Sequence, residues 1–491
     1  MTRAAVVPDL RSAAEPLVAV VGGGIAGLAA AWQLATSGAA VRVVVLEASP
    51  QVGGKLALGE VGAAVVDVGA ESLLARRPEA LDLAHEVGLG DDLQPPRPVG
   101  AGLWSGGGRY PLPKGTLMGV PSGVAGLDGL LDADAVARVG AEPTATWPAL
   151  DDDVDVASFV ASRVGQGVVD RLVEPLLGGV YAGHASRLSL RATVPPLWDA
   201  AAHGGSLVRA AARAAARGQA TQAPVFSGVV GGVGRLPLAV ADALRAKGVE
   251  IRTRTTVRRL ERHARRWRLV TGPTVDEQVV DVDGVVLAVP AAPASRLLRD
   301  VAPPAAGALA EVQYASVALV TLLLDRAAVA GLDGSGLLVP PVDGRYIKAT
   351  TFASSKWAWL DESDPRHVVV RASVGRFGEE RDLQLEDDEI VRRALVDLRA
   401  IPGVRLPDPA ASLVTRWGGG LPQYDVGHLD RVQRVLDDVA TRPGLAVAGA
   451  AYGGVGVPAC VASGRQAAER VLAAVTQVRA RPERGGQSQH D

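Results

Sequence analysis

Residues 17–47 read LVAVVGGGIAGLAAAWQLATSGAAVRVVVLE, and the rest of the chain is organised around them. Residues 17–21 are a short apolar run, as a strand buried on both faces of a parallel sheet presents. Gly22, Gly24 and Gly27 then satisfy G-x-G-x-x-G at a strand-to-helix turn. In that pattern the first glycine allows the tight turn, the second lets a pyrophosphate approach the backbone, and the third lets the helix pack closely on the strand. Residues 26–40 read as the following helix, whose N-terminal N–H groups and dipole face the phosphates. Residues 41–46 read as a second strand, and Glu47 ends it about twenty residues past the last glycine. A carboxylate there accepts hydrogen bonds from ribose hydroxyls and repels a 2′-phosphate. The glycines alone would fit a surface turn. With both strands, the helix and the terminal acid around them, they make a dinucleotide site.

Composition narrows the class. At 491 residues the chain has room for about three domain-sized units, more than one core holds. Hydrophobic residues are 48% and the net charge is −2, which describes a globular chain and offers no electrostatic case for nucleic acid. Cys460 is the only cysteine, so there is neither an internal disulfide nor a cysteine-rich metal site, and no metal is expected. Residues 17–35 and 443–464 are uncharged and long enough to suggest membrane spans, but glycine clusters punctuate both as strand-turn-helix units. Residues 1–16 lack a continuous apolar core for a signal peptide and read as a disordered lead-in. The expectation is a cytoplasmic protein without a transmembrane segment, peripheral membrane contact remaining open.

After Glu47, the run Gln51-Val52-Gly53-Gly54-Lys55 adds a second glycine pair. A nicotinamide site does not need it, whereas a buried isoalloxazine requires the chain to turn beneath it without a side chain. Residues 65–72, VVDVGAES, give another strand ending in a glycine turn. The combination VVGGGIAGLAAAWQL, VVLEASPQVGGK and VVDVGAES resembles the FAD-dependent amine-oxidase-like flavoproteins, and within them the coproporphyrinogen III and protoporphyrinogen oxidases of soluble Gram-positive type. The resemblance implies FAD contacts at Gly22, Gly23, Gly24, Ile25, Ala26, Gly27, Glu47, Ala48, Lys55, Gly69, Ala70, Glu71 and Ser72.

Residues 76–225 are rich in Ala, Leu and Arg with little strand signal, and read as a mostly helical insertion. Within it, residues 171–183 (RLVEPLLGGVYAG) are similar to the family's EPL…GVYAGD segment, although His184 stands where the family usually has Asp. A surface or capping histidine is the reading for His184. An arginine that the family often places near residues 101–104 to meet a propionate is missing. Arg209, Arg213 and Arg217 recur at i+4 as a basic stripe, read as a solvated face ahead of carboxylate or membrane contact.

Residues 226–244 resemble the point where the family's chain re-enters the cofactor domain. Residues 249–260 read as a strand, and Val257 matches a family position whose backbone contacts the adenine end of FAD. Residues 284–290 are a further buried strand. Alternating strands at 317–324, 336–340, 346–352 and 367–374 suggest a mainly antiparallel sheet, the family's substrate domain. Arg345, Lys348 and Lys356 lie there; exposed sheet-face charge is the plainer reading, propionate contact the other. Arg416-Trp417 and residues 421–428 (LPQYDVGH) are similar to the family's RW…PQY.VGH box, which would put Trp417 near the flavin. Residues 445–464 resemble the closing flavin motif, with Val455, Gly456 and Val457 opening a helix whose N–H groups stabilise negative charge on reduced flavin. Cys460, one turn on, reads as a small buried residue.

The expected fold class is α/β: a Rossmann-like FAD-binding domain assembled from residues 15–80, 226–300 and 411–477, with a discontinuous α+β substrate domain formed by the helical insertion (81–225) and the antiparallel sheet (301–410), then a disordered tail from 478. The resemblance implies conversion of coproporphyrinogen III to coproporphyrin III in haem biosynthesis, by three two-electron steps with hydride passing to flavin N5. Oxygen would be the acceptor, hydrogen peroxide the by-product, and a later enzyme of that route a hand-off partner. Protoporphyrinogen IX oxidation, another FAD-dependent amine oxidase or desaturase, and a non-enzymatic flavin protein are the alternatives. No catalytic base is expected, because the cofactor carries the hard chemistry.

Overall fold

The computed structural model describes residues 15–220 and 224–480. Nearly all of the expected lead-in lies outside them, as does the tail from 481, while residues 478–480 still belong to the closing helix, Val457–Ala480. The chain divides into two compact units. Of the described residues, the first unit comprises those up to Gly54, Pro237–Glu311, and those from Val432; the second comprises those of Lys55–Leu236 and Val312–Arg431.

The first unit is built on five parallel strands in the order Glu250–Arg252, Arg42–Leu46, Leu17–Val21, Gly284–Leu287, Leu445–Val447. Leu17–Val21 is central and buried throughout, which is why its sequence is continuously apolar. Both of its neighbours follow it in sequence, Arg42–Leu46 on one side and Gly284–Leu287 on the other, so the strand order reverses at its C-terminal end, a topological switch point where open α/β sheets bind ligands. The first helix (Ile25–Thr36) and the closing helix touch backbone to backbone: a Cβ on Gly464 would overlap the Ala26 carbonyl. Residues 249–260 form two strands rather than one. Glu250–Arg252 joins the parallel sheet, Arg254 turns the chain with φ +52°, and Val257–His263 begins a separate three-stranded antiparallel sheet.

The second unit carries a seven-stranded sheet: Ala411–Pro422, Tyr314–Asp325, His367–Val374, Ile347–Phe352, Gly336–Leu338, Ala101–Ser105, Gly108–Pro111. Every pairing is antiparallel except Gly336–Leu338 with Ala101–Ser105. The mostly helical insertion also contributes the strand pair at 101–111 to this sheet. Gly106 and Gly107, both at positive φ, supply the two-residue hairpin turn, and Leu103 and Trp104 are buried. One face of the sheet packs Leu322, Ile347, Val370 and Val374 against the helix Asp387–Ala400 through Ile390 and Leu398. On the other face, Leu323 and Val369 meet Val61 and Val66 of the hairpin Leu58–Val61/Ala64–Asp67. That packing places residues 55–80 in this unit instead of the cofactor domain, and residues 411–431 remain here because Ala411–Pro422 is a strand of the large sheet.

Among the described residues no helix is long and apolar enough to cross a membrane.

Candidate functional site

In the first unit the glycine turn is shaped for a ligand. Gly22 sits at φ +107°, where a Cβ would be driven to 2.5 Å from the Ala288 carbonyl oxygen, and a Cβ on Gly27 would overlap the Gly22 carbonyl. Gly24, the residue before the first helix, differs: a Cβ there would meet nothing within 4 Å. Space beside a helix N-terminus, flanked by two glycines that cannot be replaced without overlap, suits a pyrophosphate. The Gly53 N–H donates to the Gly23 carbonyl at 2.9 Å, bringing the second glycine pair against the first. Glu47 is held in place: its carboxylate accepts from the Gly23 N–H at 2.5 Å, the Ser49 N–H at 2.7 Å and the Ser49 hydroxyl. The Thr255 N–H donates to the Glu47 carbonyl and the Arg254 N–H to that of Ser49, which brings the chain leading into Val257 alongside Glu47 and the exposed Ala48. In the closing motif Gly456 is exposed and its carbonyl accepts from the Cys460 N–H at 3.0 Å, so Val455, Gly456 and Val457 form the helix N-terminus. Cys460 is buried.

In the second unit the turn at residues 69–72 is clamped. A Cβ on Gly69 would overlap the Lys55 carbonyl, which also accepts from the Ala70 N–H at 3.2 Å. Trp417 donates its indole N–H to the Val68 carbonyl at 2.8 Å. Glu71 is paired with Lys356 at 2.8 Å and with Arg371; Lys356 also donates to the Ser72 hydroxyl, and Arg371 to the Gly69 carbonyl, each at 2.9 Å. Burial alone would raise the Glu71 pKa, but the two cations outweigh it and hold the carboxyl at about 2. Nearby Asp67 accepts the N–H groups of Val233 and Gly234, yet burial still pushes it up to about 6.

The three basic candidates separate. Lys356 is spent on Glu71 and Ser72, so it fixes the turn. Lys348 is not exposed sheet-face charge: it is only 6% accessible, at an irregularity where Ile347 pairs with Val374 and Ala349 with Ser373. Burial, with Arg376 beside it, lowers its ammonium pKa to about 7, against the pull of Glu379. Arg345 lies with its guanidinium 4.4 Å from the Trp104 ring centre and 3.7 Å from Asp397. A guanidinium therefore does stand against residues 101–104, supplied by a strand-edge loop some 240 positions further along, a placement no local pattern could reveal.

The two central sequence boxes come together. Gln423 is buried and donates to the Tyr181 carbonyl at 2.8 Å, and a Cβ on Gly183 would overlap its side-chain oxygen. Tyr424 lies 5.6 Å from the Tyr181 ring and stacks on His428 at 3.9 Å. His184 contacts the Phe377 carbonyl at 3.1 Å, a structural contact. Sequence reading missed Arg371, whose only signal was an arginine inside an apolar strand.

Residues 25–472 match the family described as flavin containing amine oxidoreductases. The chain belongs to that family. This flavoprotein, with FAD as cofactor, is 36% identical to the coproporphyrinogen III oxidase of Mycobacterium leprae (strain TN) over 462 residues, 93% of this chain and 98% of that relative. It is 30% identical to the protoporphyrinogen oxidase of Bos taurus, across 93% of this chain and 98% of the other. An Exiguobacterium sp. 255-15 protein assigned as a protoporphyrinogen oxidase has a crystal structure with TM-score 0.79 and 31% identity, covering 92% and 98% of the two chains.

Proposed function

We propose that this flavoprotein oxidises coproporphyrinogen III to coproporphyrin III, with dioxygen as the final acceptor. Overall, six electrons and six protons leave the macrocycle and three molecules of dioxygen become three of hydrogen peroxide. The observation that carries this reading is the near-complete match, at 36% identity, to a relative named for that activity.

Bound FAD supplies the two-electron oxidation chemistry; the chain supplies position and charge. In this reading Gly22, Gly23, Gly24, Ile25, Ala26 and Gly27 cradle the diphosphate, Glu47 with Ala48 meets the ribose, and Val257 the adenine side. Lys55, Gly69, Ala70, Glu71, Ser72 and Trp417 hold the flavin portion. Glu71 does so through its backbone, because its carboxylate is committed to Lys356 and Arg371. Val455, Gly456 and Val457 present a helix N-terminus, which favours negative charge. Arg345 and Lys348 meet substrate carboxylates, and Lys356 positions the turn. No side chain is assigned as a base.

The test is anaerobic addition of coproporphyrinogen III to the yellow holoenzyme. Bleaching of the flavin bands, then porphyrin fluorescence and peroxide on admitting air, is expected; flavin that stays oxidised refutes the proposal. The identity to the Bos taurus enzyme supports a second reading, protoporphyrinogen IX as substrate, and parallel turnover ranks the two.

A further inference from the structure

The basic stripe on the helix Leu207–Ala220 is exposed, and part of it borders a cleft. Arg213 and Arg217, one turn apart, line a cleft of about 770 Å³ together with Arg76 and His203. Among the described residues neither Arg213 nor Arg217 has an ion-pair or hydrogen-bonding side-chain partner. Among the described lining residues Asp199 is the one acid, against Arg76, Arg213 and Arg217, so that lining is net positive. Between these polar groups the wall is small and apolar: Ala75, Pro196, Ala200, Ala210 and Ala214. Pockets of roughly 300–1,000 Å³ take drug-sized ligands. An apolar wall with a guanidinium rim selects a flat hydrophobic body bearing carboxylates, because guanidinium binds carboxylate in a fork and a positively lined cleft concentrates anions.

We propose that this cleft is a second binding site for the porphyrin tetracarboxylate, separate from the place of oxidation, with Arg76, Arg213 and Arg217 reading propionates. The inference rests on the proposed function for the identity of its ligand. Ala75 and Arg76 lie three and four residues past the clamped turn at residues 69–72, and the Ala75 N–H is tied to the Val225 carbonyl at 2.9 Å. A ligand in the cleft therefore touches the chain that leads into the flavin turn. Leu74, Val225 and Phe226 are exposed close by in sequence and would suit a lipid surface, but the arginines surround a concavity, which a planar bilayer does not fill.

The test is a fluorescence titration of the holoenzyme with coproporphyrin III and with its uncharged tetramethyl ester, in four forms: wild type, Arg213→Ala/Arg217→Ala, Arg213→Lys/Arg217→Lys, and Arg209→Ala. The wild type should take two equivalents of coproporphyrin III. The double-alanine form should bind the second at least about tenfold more weakly, while the double-lysine form, which keeps the charge, loses less. Arg209, on the same helix but outside the lining, should be replaceable without effect. Added salt should narrow the gap, because the rim is exposed. A single wild-type equivalent, or unchanged binding in the double-alanine form, overturns the inference. So does a loss confined to binding of anionic phospholipid vesicles. If coproporphyrinogen III fails to bleach the flavin while arginine-dependent porphyrin binding persists, the proposed reaction falls and the cleft stands.

Discussion

Replacing Glu71 by Gln removes one charge from a buried three-member cluster without changing its shape. Glu71 and Lys356 have side chains 15% accessible and Arg371 only 6%, so solvent screens the cluster little. The Glu71 carboxyl is held at about 2 against an ordinary value of 4.5. At 1.36 kcal/mol per pKa unit that is about 3 kcal/mol favouring the folded state at neutral pH. Breaking a buried pair by removing one partner costs on the order of 3–5 kcal/mol, the same range. Because the folded pKa lies below the unfolded one, this contribution is complete above pH 4.5 and disappears as pH falls towards 2. Urea unfolding of flavin-free protein, followed by tryptophan fluorescence, should therefore show Glu71→Gln less stable by about 3 kcal/mol at pH 7, with a gap that narrows below pH 4.5. The variant should also retain FAD less well, since Arg371 and Lys356 reach Gly69 and Ser72 as well. A difference under about 0.5 kcal/mol at pH 7, the usual size of an inconsequential substitution, would refute the reasoning.

Lys348→Met should stabilise the protein at neutral pH. The ammonium pKa falls from 10.5 to about 7, so the burial cost, of order 5 kcal/mol, is fully present below pH 7 and relieved between 7 and 10.5. Unfolding at a series of pH values should show the variant's advantage shrinking across that window, while its KM for coproporphyrinogen III rises. Gly24→Ala should leave unfolding within about 0.5 kcal/mol of wild type, since its Cβ meets open space, yet weaken FAD at least about tenfold in flavin titrations. Gly464→Ala should do the reverse at the fold level: its methyl overlaps the Ala26 carbonyl, and a lower urea midpoint even without flavin is expected. Trp417→Phe deletes the bond to the Val68 carbonyl and should cost about 1 kcal/mol, read in the same unfolding assay.

The parallel sheet and its glycine turn were legible because their determinants are local: a buried apolar run, and glycines a few residues apart that meet each other's backbone. The long strands between residues 314 and 374 were legible for the same reason. What escaped depends on distant partners. Glu71 finds Lys356 and Arg371 some 285 and 300 positions away. The hairpin at 58–67 looks like a cofactor-domain strand pair until Val61 and Val66 are packed on Leu323 and Val369. Lys348 is buried at a pairing irregularity, and register between strands is invisible in either strand alone. The hairpin at 101–111 did carry a signal, Gly106-Gly107, hidden under a composition that favoured helix.

The chain's repeated passage between its two units has a consequence for biosynthesis. The central strand Leu17–Val21 needs Gly284–Leu287 as a neighbour, and the first helix needs the closing helix Val457–Ala480 against its small-residue face. At about 5–20 residues per second, the ribosome releases that last partner roughly 20–90 s after the first helix is made. Throughout that interval the fully buried apolar strand Leu17–Val21 has no finished sheet to enter. A stop or frameshift removing only the closing helix would leave the first helix exposed along its length, and such a product should be a client of chaperones and proteases rather than a slightly weakened enzyme.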